Sequence, residues 1–219
     1  MADVLIIEDV LNDSDKVDVV MNKEMGDSVL ETFSTKLHNK GYQIDDMMMT
    51  SVGLPSDQRH AYKVITTESD QHIKTEFLPM GVSPFYLHEK FRQDSLLRQS
   101  LTSVYKSLVL VSPESEAEHT IIQDAELLGQ RSGAKTMFIV LLGGYSAALT
   151  NQYNEELSTN NVPGGNVALW HVSQTTVMFY IIDVETGELI WHDNAFVQGG
   201  TVNKEKLLRM AETIVDRLP

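Results

Sequence analysis

The hydrophobic pattern opens with Val4 to Val10, a mostly apolar, β-branched run closed by Asn12-Asp13-Ser14-Asp15, which predicts a buried first strand. From about residue 19 the apolar positions Met21, Met25, Val29, Phe33 and Leu37 recur at helical spacing. Gly41 follows Lys40 where a left-handed cap belongs, so a helix is expected between them. Tyr42 to Leu54 then reads as a second strand, closing a β-α-β unit whose crossover is right-handed if the two strands are parallel. Prolines 55, 79 and 84 interrupt the next stretch. Within it Tyr62, Val64 and Thr66, then Ile73, Thr75 and Phe77, alternate with polar residues across Glu68-Ser69-Asp70-Gln71, the pattern of an amphipathic hairpin.

Residues 89 to 107 carry a helical stripe ending in Leu97, Leu101, Val104, Tyr105 and Leu108, and Leu108 to Val111 reads as a short strand. Ser115-Glu116-Ala117-Glu118 has capping-box spacing before Ala117, Ile121, Ala125 and Leu128, the stripe of a helix that Gly133 can end. Thr136 to Leu142 and Thr176 to Ile182 are apolar on both faces, as central strands are. Leu189 to Val197 pairs with the latter across the turn Asp183-Val184-Glu185-Thr186-Gly187-Glu188. Residues 150 to 165 form the longest predicted loop, and a helix from Asn203 buries Leu207, Ala211, Ile214, Val215 and Leu218.

The expected architecture is therefore α/β with an α+β tendency: a single mixed sheet flanked by helices, with a C-terminal β-hairpin and a C-terminal helix. Residues 1-219 read as a single domain, with a hairpin insertion at about 55-88.

Composition narrows what such a domain does. The 219 residues carry 31 acidic against 17 basic side chains, a net charge of -14. That field repels phosphate backbones, so no nucleic acid is expected as a partner. The absence of cysteine excludes thiol catalysis, disulfides and Cys-ligated metal sites in this chain. No apolar run approaches the roughly 18 residues of a membrane span, and Met1-Ala2-Asp3-Val4 lacks the pattern of a signal peptide.

Candidate chemistry fails motif by motif. Gly143-Gly144 follows a strand as a phosphate loop would, but lacks the remaining glycines, the lysine and the immediate helix, so a bulge or a close backbone approach is expected. Gly164-Gly165 reads as a turn and Gly199-Gly200 as a strand end. Ser146 lacks the second glycine of a nucleophile elbow. His88-Glu89 starts like a zinc-protease helix but continues Lys90-Phe91-Arg92 without a second histidine. His171 and His192 each follow a tryptophan, Trp170 and Trp191, yet antiparallel pairing through the 183–188 turn places Phe179, not His171, opposite His192. Glu114, Glu116, Glu118 and His119 sit where acidic residues favour a helix start. The triplet Met47-Met48-Met49 lies in a strand-like run and is expected to pack with alternating direction. No cofactor, no metal and no catalytic residue is expected.

Three segments carry a resemblance: the first strand and helix, Leu127-Leu128-Gly129-Gln130-Arg131-Ser132-Gly133-Ala134-Lys135, and Tyr180-Ile181-Ile182-Asp183-Val184-Glu185-Thr186-Gly187-Glu188-Leu189-Ile190-Trp191. Together they resemble the small α/β domains of bacterial envelope lipoproteins. That group includes activators of penicillin-binding proteins, the TolB N-terminal domain and the curli-secretion lipoprotein. The resemblance implies a non-enzymatic domain in the periplasm, held to the outer membrane only by a lipid on a cysteine upstream of this sequence. It implies that the domain binds or regulates another envelope protein, with Asp183, Gly187 and Trp191 as structural hairpin residues. Assembly into a homo-oligomer, with the 61–78 hairpin inserted, stays open. A different class of reading is a cytoplasmic small-molecule-binding or hydrolytic α/β domain with its site near loop 150–165 and His171, since such sheets hold ligands in loops beyond strand ends.

Overall fold

The computed structural model describes residues 1–9, 16–54, 61–65, 73–77, 84–111, 120–147, 174–198 and 204–219, with backbone alone for 8–9, 61–65, 73–77, 145–147, 174 and 198. Strand β1 (Ala2–Asp9) is followed by the short β2 (Lys16–Asp18) and helix α1 (Val19–Asn39), then β3 (Met49–Val52), β4 (Ala61–Ile65), β5 (Ile73–Phe77) and β6 (Tyr86–Leu87). Helices α2 (Glu89–Gln93), α3 (Ser95–Val109) and α4 (Ala125–Ser132) lead to β7 (Thr136–Ala147). The chain closes with β8 (Gln174–Asp183), β9 (Leu189–Gln198) and α5 (Lys204–Asp216).

The strands form one nine-stranded mixed sheet ordered β5-β4-β2-β1-β7-β8-β9, with β3 and β6 branching from β1. Strand β1 runs parallel to β7 from Ala2↔Val140 to Asp9↔Ala147, and β7 pairs antiparallel with β8 along its length. The other edge of β1 is shared: Ala2 to Val4 pair in parallel with β3, while Glu8 pairs with Lys16 of β2.

Alternation along the strands gives the sheet two buried faces. Val4, Ile6, Val140, Leu142, Val177 and Phe179 face α1 and α5, which pack on each other. Met137, Ile139, Leu141, Tyr180 and Ile182 face α2, α3 and α4. The result is a mixed sheet between two helical layers, with a C-terminal strand pair and a C-terminal helix, as the pattern of residues predicts.

The structure departs from the sequence reading in five places. The second strand spans only Met49–Val52; residues 42 to 48 cross the end of the sheet without regular structure. The helix expected over 89–107 is two helices, because the Asp94 carboxylate accepts from Leu96 N–H and Leu97 N–H at 3.0 Å each and so starts α3 anew. Leu108 to Val111 form no strand: α3 runs through Val109, and Leu110 is 84% exposed. Helix α4 starts only at Ala125, because Ile121 bridges Glu188 and Ile122 N–H donates to Gly187 O (2.8 Å), holding 120–122 against the hairpin turn. Its expected capping box lies outside the described residues. Finally, Gly143-Gly144 forms no bulge, since the register with β1 and β8 runs through it unbroken, and Gly143 is no close approach, since a Cβ on it would meet nothing within 4 Å.

Candidate binding cleft and buried polar seam

A cleft of about 490 Å³ opens at the amino-terminal end of the parallel strands β1 and β7. Its floor is an aromatic stack. Phe33 of α1 lies on Phe179 of β8 at 4.5 Å between ring centroids and 7° between planes, and Phe138 of β7 stacks against Phe179 at 5.9 Å. Leu30 and Leu37 of α1, Met137 and Phe91 complete the apolar wall. The segment from Gln43 to Met48 forms one rim as a strap, bringing Ile44, Asp45, Asp46 and Met47 to the opening, and Lys90 with the Ser132–Thr136 turn forms the rest.

Local sequence explains the strap. Gly41 ends α1 with φ +92°, and Tyr42 N–H returns to Leu37 O (3.0 Å), so the chain turns sharply off the helix. The Tyr42 ring then meets Phe138 edge-on at 5.8 Å. At the other end Ala2 N–H donates to Met48 O (3.1 Å), and β3 begins. The three methionines thus separate by role: Met47 is 42% exposed at the rim, Met48 lines the cleft, and Met49 is buried over Gly26.

The hairpin residues sit behind this cleft. Asp183 Oδ1 accepts from Glu185 N–H (2.8 Å) and Thr186 N–H (3.3 Å), and Gly187 takes φ +71°. Trp191 packs edge-on against Phe179 at 5.9 Å, supporting the aromatic floor from the far side. The register of β8 with β9 shifts between Ile181 and Ile182, leaving Ile190 as the extra residue. That shift corrects one expectation: His192 pairs with Tyr180, and Phe179 with Asp193.

The other candidates read from the sequence that fall among the described residues are not assembled into a site. His88 is the N-cap of α2, its Nδ1 accepting from Lys90 N–H at 3.3 Å. Ser146 lies within β7 opposite Glu8. His171, Trp170, the 150–165 loop, the acidic cluster at 114–119, Gly164-Gly165 and Gly199-Gly200 lie outside the described residues. Among the described residues no group of three or more acidic or histidine side chains is placed to hold a metal ion, and no helix is long and apolar enough to cross a membrane.

Sequence reasoning missed a second polar centre, sealed between β1, β3 and α3. Asp3, 2% exposed, accepts from Ser51 Oγ–H at 2.6 Å and Leu54 N–H at 3.0 Å on the same Oδ1. Thr50 donates its hydroxyl proton to Ala2 O (2.6 Å), so the Tyr105 hydroxyl, 2.5 Å away, donates to Thr50. Burial raises the Asp3 carboxyl to about 7, against the opposing pull of its hydrogen bonds, and burial with the nearby Asp3 charge raises the Tyr105 phenol. Enzymes use such perturbed groups, but here, among the described residues, they bond to one another and to backbone. These groups join strands to a helix.

No family model matches the chain, and no curated protein matches it. Among solved structures, the crystal structure of a lipoprotein from Neisseria meningitidis is similar over 99% of this chain and 97% of its own, at 14% identity and a TM-score of 0.32. At that TM-score the likeness supports no conclusion about fold or function.

Proposed function

We propose that the chain is a non-catalytic domain of the bacterial envelope lipoprotein type that docks another envelope protein, and that the strap-rimmed cleft receives an apolar anchor of that partner. The observation that carries the first half is the packing of two of the three segments in which the resemblance resides. Gly129 of α4 sits so close to Val184 of the hairpin turn that a Cβ on it would collide with the Val184 Cβ. Val184 N–H also donates to Lys135 O at 3.0 Å. The segments 127–135 and 180–191 are therefore one folded unit rather than two separate matches.

The cleft supports the second half. A rigid aromatic floor under a rim of mixed charge (Asp45, Asp46, Lys90 and Lys135) has the make-up of a protein-docking site, where an apolar centre supplies most of the affinity and the polar rim supplies selectivity. The described buried polar groups are bonded within the fold itself, which is why the reading is of binding rather than turnover.

The test compares the unaltered chain with Met47→Arg as baits on detergent-solubilised envelopes. Met47 is a rim residue, so its replacement leaves folding within about 0.5 kcal/mol, and the expected result is a specific envelope protein retained by the first bait and lost by the second. Equal recovery by both baits assigns docking to another face, and recovery of cytosolic proteins alone overturns the envelope reading.

A further inference from the structure

Asp3 is the only buried carboxyl among the described residues, and its surroundings are all neutral. From β3 it meets the Ser51 hydroxyl, and from the turn after β3 the amides of Gly53 and Leu54; from α3 the Tyr105 phenol stands nearby; its partner on β7 is Leu141. No cation is among the groups acting on it. Its donors favour the carboxylate, but with no cation beside it burial outweighs them, so an ionised Asp3 draws the seam toward water.

The two sides of β1 differ in how readily they admit water. Toward β7 the register is continuous over the whole strand, from Ala2 to Asp9. Toward β3 only Ala2, Asp3 and Val4 pair, with an irregularity between Ala2 and Asp3, and β3 has only the two-residue β6 beyond it. The weak side is also where the strap of the cleft is fastened, through Ala2 N–H to Met48 O at 3.1 Å.

We infer that the β1–β3 seam is a proton-dependent latch, closed while Asp3 is protonated and loosened when it ionises, so that the Gly53–Leu54 turn and the 43–48 strap gain freedom as pH rises. The raised carboxyl, at about 7, places this change in the neutral range. The latch depends on this seam alone and stands whether or not the docking reading does.

Native-state hydrogen exchange between pH 5.5 and 8.5 tests it, expressed as protection factors so that the intrinsic base catalysis of exchange is removed. The seam amides of Leu54 and Ala2 are expected to lose protection by about tenfold per pH unit as pH rises toward the midpoint and to level off above it, while amides in the β7–β8 pairing hold theirs. Asp3→Asn keeps a neutral acceptor and is expected to flatten the dependence. Because the chain has no cysteine, Met47→Cys gives a single site for a fluorophore on the strap, which should report the same midpoint. Should Asp3→Asn fail to fold, the ¹³Cγ resonance of Asp3 in the unaltered chain decides: a midpoint between about pH 6 and 8 supports the latch, and one outside that range overturns it. Protection that is flat in the unaltered chain, or that falls equally in Asp3→Asn, also overturns it.

Discussion

The side chain of Asn22 completes the sheet at Ile6. Ile6 N–H donates to Asn22 Oδ1 at 2.6 Å, and Asn22 Nδ2 donates to Ile6 O at 3.1 Å and to Asp18 O at 2.7 Å. Ile6 lies where β1 has left β3 and has not yet met β2, so no neighbouring strand serves its peptide groups on that edge. An amide side chain offers a donor and an acceptor side by side, the same pair a strand would present. Asn22 is wholly buried, and helix α1 is thereby clamped to the central strand.

Asn22→Ala leaves both Ile6 groups buried without partners. At roughly 1–3 kcal/mol for each orphaned group, a loss of about 2–4 kcal/mol is expected, read as a lower urea midpoint with little change in slope. Asn22→Leu, which fills the space but cannot bond, should do no better.

Gly129 is the closest approach of α4 to the hairpin. Gly129→Ala forces a methyl into the Val184 side chain, against both its Cβ and its Cγ2, and is expected to cost about 1–3 kcal/mol. Val184→Ala in the same chain should restore part of that loss. A double-mutant cycle by urea unfolding measures the coupling, and additivity would show that the two do not meet.

Two glycines that look alike in sequence should respond differently to alanine. Gly187 has φ +71° and an added Cβ would sit 3.3 Å from Ile122 O, so Gly187→Ala is expected to cost about 1–2 kcal/mol. Gly143 lies in regular strand with open space around its Cβ, so Gly143→Ala should be neutral to slightly stabilising, within about 1 kcal/mol. Thermal unfolding of the two variants separates them.

Stability should fall from mildly acid to mildly alkaline pH. Asp3 is raised in the fold from 3.8 to about 7, so its contribution is fully present below about pH 4 and is lost as pH rises through 7. At about 1.4 kcal/mol for each tenfold change in proton affinity, the full span is on the order of 4 kcal/mol. Urea unfolding at pH 5.5 and 8.5 checks the sign, with Asp3→Asn as the flat reference.

The long apolar-periodic runs were legible in the sequence because a strand buried on both faces leaves few alternatives: β1, β8, β9 and α5 appear where the pattern places them, and β7 starts at the expected Thr136 but runs on to Ala147. What escaped has local causes. The buried face of α1 turns from Val29 and Phe33 to Asn22 and Gly26 rather than to Met25 and Met21, which are only partly buried. A polar residue and a glycine in that stripe score as solvent positions until the gap beside Ile6 and the close approach of Met49 are known; Gly26 in a helix interior was the readable signal. The 42–48 strap is apolar enough to pass for a strand, and only the sheet register shows that pairing starts at Met49. Asp3 escaped too, because nothing nearby in sequence announces Ser51 or Tyr105. The His192 pairing moved by one because a bulge at Ile190 leaves no trace in composition.

Docking of an envelope protein in the cleft is the central claim, and photo-crosslinking in intact cells producing the native gene product tests it most directly. A photoreactive residue replaces Met47 at the rim in one strain and Glu205, exposed at the start of α5 toward the opposite end of the sheet, in another. A discrete adduct with an envelope protein is predicted from position 47 and none from position 205. Adducts only with cytosolic proteins, or equal adducts from both positions, would contradict docking at the cleft.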